Sequence, residues 1–246
     1  MAAALEHART LGQAHSMAFV KLLRISMHFW LDEPEEVIAG LEEYLDDCRE
    51  QAFTYFYLLG SLNEGWARFR LEPSAAHADM IERHLQGWSR IGASLAYVQH
   101  SAALVEARIA LGHLDAAAAY LAQGREKLAA TGEHVYSPVL PYLEGRLALA
   151  QSPPNEARAA DCYREALAMA DAMQAAWHTL RPTLGWAQLL RRQHRIAEAR
   201  ELLARNLARV EALPQNPLIR QMLALDAELQ DLIHHPLESP NPSAST

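Results

Sequence analysis

Two stretches of this chain repeat one another: Gly-Trp-Ala-Arg at residues 65–68 returns as Gly-Trp-Ala-Gln at residues 185–188. Between them Glu106-Ala107-Arg108 and Glu144-Gly145-Arg146 occupy the matching places. The spacing implies a period of about 40 residues, the length of a paired-helix repeat. Units of that kind pack on their neighbours and need no separate core, so the chain is expected to form one array over residues 1–233.

Composition agrees with helices. Half of the 246 residues are apolar, Gly is sparse, and runs of Val and Ile are almost absent, which favours helix over sheet. Helical periodicity and stop signals predict about a dozen helices: residues 3–11, 16–31, 34–51, 54–71, 75–91, 96–111, 115–130, 139–150, 155–173, 177–192, 197–213 and 217–233. From residue 54 to residue 213 they fall into pairs broken at Glu72-Pro73-Ser74, Gly112-His113, Ser152-Pro153-Pro154 and near His194. Gly12 ends the first helix, and Asp32 is the expected cap of the helix that opens with Pro34. Ser137 is the expected cap ahead of Pro138 and Pro141, whereas Pro182 lies deeper and predicts a kink or short break. Second helices share a small residue followed by a large one, Ala117 and Leu121, Ala159 and Tyr163, Ala199 and Leu203, which lets neighbouring helices approach closely. The Pro-, Ser- and Asn-rich stretch 234–246 reads as a disordered tail.

Several functional classes are disfavoured. With a formal net charge of −8 and no basic run interleaved with aromatics, the chain is not expected to bind nucleic acid directly. The densest basic cluster, Arg191, Arg192, His194 and Arg195, suits a solvated helix end. Cys48 and Cys162 sit in no metal or redox spacing and are expected to pack in the interior. There is no signal-peptide pattern and no membrane-length apolar run, so a cytoplasmic location without membrane contact is expected.

Catalytic patterns are weak as well. His77 and His84 share a helix face without a third ligand, His28 and Asp32 are read as a surface pair or cap, and no metal or cofactor is expected. Neither Cys has a recognisable His partner, G-x-S-x-G is absent, and the acidic pairs on residues 34–51 read as a solvated face. The chain is not expected to be an enzyme.

From Glu144 onward the run Glu-Gly-Arg-Leu-Ala-Leu-Ala, then residues 160–167, then residues 184–190 with 195–203, resembles the tetratricopeptide-like repeats at the carboxy-terminal end of large bacterial signalling proteins. Residues 50–53 and 65–67 resemble the preceding repeats of the same region. In those proteins the repeats follow a signal-transduction ATPase module joined to an adenylate or guanylate cyclase, or to a helix-turn-helix activator of the maltose-regulator type. The resemblance spans about residues 14–233 and departs from the pattern at Pro138 and Pro141. It implies an all-α, right-handed superhelix of helix pairs, and a non-catalytic regulatory module that binds a peptide or protein segment along its concave groove. No phosphate loop, G-x-G-x-x-G turn or cyclase segment is present, so no ATPase or cyclase activity carries over.

In such a stack the first helix of each pair lines the groove. Registering the breaks turns Gln99, Glu106, Arg146, Arg181 and Gln188 towards it, with Trp66 and Phe69 as aromatic contacts. Arginine there suits a carboxylate of a peptide or small ligand. Equally, these residues could solvate the inner wall, Glu106 could neutralise Arg146, and Trp66 and Trp186 could be packing residues. Two further functions stay open: a small-ligand sensor of a signal-transduction ATPase or cyclase, and an enzyme of unrecognised type. Repeat arrays need covered ends, so the first helices are expected to leave Leu5, Leu11, Met17 and Phe19 uncovered for another subunit or an upstream ATPase or cyclase domain.

Overall fold

The computed structural model describes residues 2–213 and 215–234. Among them are twelve α-helices and no strand. They are α1 (Ala2–Leu11), α2 (Ala14–Trp30), α3 (Pro34–Glu50), α4 (Thr54–Leu71), α5 (Ala75–Arg90), α6 (Tyr97–Ala110), α7 (Leu114–Thr131), α8 (Val139–Ala150), α9 (Glu156–Ala172), α10 (Leu180–Arg192), α11 (Ile196–Arg209) and α12 (Pro217–His234). Short 3₁₀ turns at His134–Tyr136 and Ala176–Thr179 precede α8 and α10. The expected tail, apart from His234, lies outside the described residues.

Turn chemistry sets the repeat. The residues with left-handed backbone are Gly12, Asp32, Ala52, Gly92, Gly112, Gly132, Gln174 and His194 at helix ends, with Ala96 ahead of α6. From Gly12 to Gly132 the helix-end positions fall on a twenty-residue grid, and His194 follows Gln174 by the same step. Asp32 shows the pattern: Leu31 N–H donates to Met27 O, Asp32 N–H to Phe29 O and Glu33 N–H to His28 O. The same three bonds recur around Ala52, Gly92, Gly112, Gln174 and His194. This is the Schellman closure, in which the last carbonyls of a helix are satisfied by a left-handed reversal. Glu33, Phe53, His113 and Arg195 then accept the first bond of the next helix through their own carbonyls. One residue therefore closes one helix and opens the next, and the two must run antiparallel.

The grid skips two places, 72 and 152, and proline explains both. Pro73 and Pro153 stand where an N–H must donate to complete the closure, and proline has none. Glu72 is extended instead, with φ −139°, and Ser74 caps α5 by accepting from His77 N–H at 3.3 Å.

Asp32 is therefore not the cap of α3. Glu33 takes that position, while the carboxylate of Asp32 is buried beneath Arg70. Likewise His28 pairs with Glu33, Nδ1 to Oε2 2.8 Å, rather than with Asp32. At Pro182 the chain makes a 3₁₀ turn and starts α10 at Leu180, so the proline lies in the first turn. There its missing N–H costs no intrahelical bond.

The chain divides into two compact units, residues 1–162 and 163–246, with the boundary inside α9. In the first, α2 packs on α3, α4 on α5 and α6 on α7, and the first helices also pack in succession: α2 on α4, α4 on α6, α6 on α8. Its core holds Leu22, Val37, Tyr44, Leu62, Trp66, Ile81, Trp88 and Leu104. Polar bonds between helices two apart clamp the stack: Asp32–Arg70, Glu82–Tyr120, and Glu133 on the backbone N–H of Ala96. Cys48 is buried at 1 % exposure.

In the second unit α10, α11 and α12 pack on one another around Leu180, Leu190, Leu203, Met222 and Leu229. Arg209 reaches Asp171, and Arg191 binds both carboxylate oxygens of Glu228 at 2.7 and 2.6 Å. No described helix is long and apolar enough to cross a membrane.

Candidate functional site

The α4–α5 seam is set by Gly65. A Cβ there would sit 2.8 Å from Ile81 Cγ1 and 3.2 Å from the Ile81 backbone nitrogen, so only glycine permits this approach. Gly185 lies under the ring of Tyr163 in the second unit, with 3.1 Å to a would-be Cβ. The tryptophans that follow differ. Trp66 is 2 % exposed and packs on Phe29 with ring centroids 4.4 Å apart. Trp186 is half-buried, and the Arg164 guanidinium lies 5.6 Å from its ring.

The seven groove residues read from the sequence separate by burial. Trp66 and Phe69 belong to the core of the first unit, and Gln99 is buried on α6. Glu106 and Arg146, one period apart on α6 and α8, come together with Arg146 Nη1 3.7 Å from Glu106 Oε1. The same nitrogen donates to the Tyr142 hydroxyl at 3.4 Å. Arg146 keeps 35 % of its side chain exposed and Glu106 keeps 13 %. In the second unit, Arg181 is half-buried at the start of α10 and Gln188 is exposed on the same helix.

A stronger cluster escaped sequence reading. Arg108 on α6 lies between Asp79 and Glu82 of α5, 2.8 Å from Asp79 and in direct contact with Glu82, and its side chain is 10 % exposed. Tyr120 of α7 donates to Glu82 at 2.6 Å. Burial, aided by that bond, pushes the Tyr120 phenol up to about 12. Three helices are thus tied through one carboxylate. The signal was available: Asp79 and Glu82 stand at i, i+3, and Arg108 repeats Arg68, which pairs locally with Glu64.

On the same helix as Arg108, His100 is 2 % exposed, its Nδ1 has no hydrogen-bond partner, and the Phe29 ring lies 5.9 Å away. Burial drives its pKa down to about 3, so the imidazole is neutral. Among the described residues no three His, Cys, Asp or Glu side chains group as metal ligands. The clusters bind helix to helix, and of the groove residues Arg146 and Glu106 form an ion pair that leaves part of the arginine side chain exposed.

No protein-family model matches the chain, and a search of the curated proteins finds no match. What stands is a helical, repeat-like architecture of sequential antiparallel pairs.

Proposed function

We propose that this chain is a non-catalytic interaction module of a bacterial cytoplasmic signalling or transcription-regulatory system, and that it binds a segment of another protein across its first helices. The resemblance to tetratricopeptide-like repeats behind signal-transduction ATPases supports this reading, as does the pairing of helices on a regular grid. The observation that carries it is the Glu106–Arg146 step. One register position, a period apart on parallel helices, bears opposite charges that touch while about a third of the Arg146 side chain faces outward. A scaffold that holds its backbone constant and varies one outward position is suited to reading an extended segment residue by residue.

The partner segment carries an acidic residue that engages the planar guanidinium of Arg146 in competition with Glu106, a bidentate geometry for which arginine is suited. Arg181 and Gln188 on α10 supply a second set of contacts within their own unit. The test is quantitative affinity purification with the wild-type chain, Arg146→Ala and Arg181→Ala. The reading expects a protein recovered by wild type and depleted at least tenfold by Arg146→Ala. Equal recovery by all three chains would remove these residues from the site.

A further inference from the structure

Within the first unit, two arginines share Glu144 of α8. Arg125 of α7 donates from Nε to Oε1 at 2.6 Å, with its Nη2 in direct contact with the same oxygen, and Arg158 of α9 donates from Nη2 to Oε2 at 3.1 Å. The carboxylate is 18 % exposed, whereas the arginine side chains are 48 and 54 % exposed. One negative charge thus holds two positive ones, and the triad has a surplus of positive charge. The clusters around Lys21 and Arg108 have the opposite composition, one cation between two carboxylates. In a chain with a formal net charge of −8, the surplus at Glu144 runs against the overall balance.

Both guanidiniums leave from fixed backbone. A Cβ at Gly124 would lie 3.2 Å from Leu140 Cδ2, so α7 approaches α8 closely beside Arg125. Arg158 stands in the first turn of α9, where its N–H donates to Asn155 Oδ1 at 3.0 Å and the positive end of the helix adds to the local field. Arg125 turns Nε and Nη2 to Glu144, and Arg158 turns Nη2 alone. Among the described residues their remaining nitrogens take no other acceptor, although a guanidinium fork has more donors than these. Ala122 and Ala129, one turn to either side of Arg125, are small and exposed and do not screen it. Asp161 follows Arg158 by one turn on α9 and bounds the positive patch on that side.

We infer that Arg125 and Arg158 together bind a phosphate monoester carried on a side chain of a partner polypeptide. Charge and oxygen count select the ligand. A carboxylate at so exposed a place gains little over water, and it brings only what Glu144 already supplies. A phosphate monoester carries a charge of about −1.5 to −2 at pH 7 and three acceptor oxygens, so it satisfies both guanidiniums at once. Exposure selects the source. A free small anion would stay largely hydrated here, since small ligands are held by burying most of their surface, whereas a polypeptide adds contacts on either side of the phosphate. The net charge of −8 disfavours a nucleic-acid backbone. Glu144 and Arg146 point about 200° apart round α8. The site is therefore distinct from the Glu106–Arg146 step and shares with that reading only the class of partner.

The test is affinity selection by the immobilised full chain from a degenerate peptide library with one fixed central phosphoserine, beside the same library with serine. Wild type is expected to retain the phosphorylated library at least fivefold over the other, with a preference at the flanking positions. Arg125→Ala and Arg158→Ala, exposed positions on two different helices whose folding is checked by circular dichroism, are each expected to abolish that difference. Arg146→Ala, and Arg195→Ala at an exposed arginine paired with Glu198 alone, are expected to leave it unchanged. Equal retention of the two libraries, or a difference that survives in Arg125→Ala and Arg158→Ala, would overturn the inference. So would retention of phosphopeptides without any flanking preference, since the site would then recognise the free anion and not a segment that carries it.

Discussion

Arg70 of α4 donates to the carboxylate of Asp32 at 2.6 Å across 38 residues of sequence, and Asp32 is 1 % exposed in a left-handed turn with φ +59°. The turn that closes α2 is thereby bonded to the last turn of the next first helix. One residue serves both the helix reversal and the repeat-to-repeat clamp.

Asp32→Asn keeps a side chain that tolerates the left-handed region but removes the charge facing Arg70. The expected loss is about 1–3 kcal/mol, the range for a lost hydrogen bond to a charged group and less than for a fully buried pair, because Arg70 is a third exposed. A double-mutant cycle with Arg70→Ala in urea unfolding checks it, and purely additive effects would deny the clamp.

Ala52 sits at φ +53°, in the backbone region that Gly12, Gly92, Gly112 and Gly132 fill with glycine. A Cβ in that region costs about 1–2 kcal/mol, partly offset by the greater chain entropy of glycine, so Ala52→Gly is expected to stabilise by about 0.5–1 kcal/mol. Gly112→Ala, at φ +75°, is expected to destabilise by about 1 kcal/mol. Thermal unfolding of both variants reads the two signs.

The seam glycines are not equivalent. Gly65→Ala drives a methyl against the backbone of α5 and is expected to cost about 1–3 kcal/mol, as overpacking does. Gly185→Ala meets only the edge of the Tyr163 ring at 3.1 Å, which can shift, and is expected to cost less. Equal midpoints for the two variants would contradict this ordering.

His100 sets an acid limit. Its folded-state pKa is about 3, below the ordinary 6.5, so between those values the unfolded chain binds a proton that the folded chain does not. Stability is fully present above pH 6.5 and falls as pH drops towards 3, by up to about tenfold in the folded-to-unfolded ratio per pH unit. His100→Leu removes the unpartnered Nδ1 as well as the titration, so it is expected to hold or raise stability at pH 7 and to flatten the acid limb. Urea midpoints measured from pH 7 to pH 4 for both chains decide it.

Much of the architecture was legible because it is written in local chemistry. The Gly112-His113 break and the two proline breaks mark helix ends at which backbone hydrogen bonding must reorganise, and α4 and α8 begin and end where periodicity puts them. The Asp32 turn was misread because aspartate suits both a cap and a left-handed reversal, and the choice is made by Arg70, 38 residues away. The candidate site residues were harder for the same reason. Trp66, Phe69 and Gln99 share the helix class of Glu106 and Arg146, but burial depends on how successive first helices pack, which no single helix encodes. Arg108 and its carboxylates come from two helices, and Tyr120 from a third.

The most direct test of the interaction reading places a photo-crosslinking benzoylphenylalanine at the exposed Ala150, one turn from Arg146 on α8, and as a control at the exposed Glu42 of α3, in cells that make the chain. The account predicts a discrete protein adduct from position 150 that Arg146→Ala abolishes, and none from position 42. No adduct from position 150, or the same adducts from both positions, would contradict it.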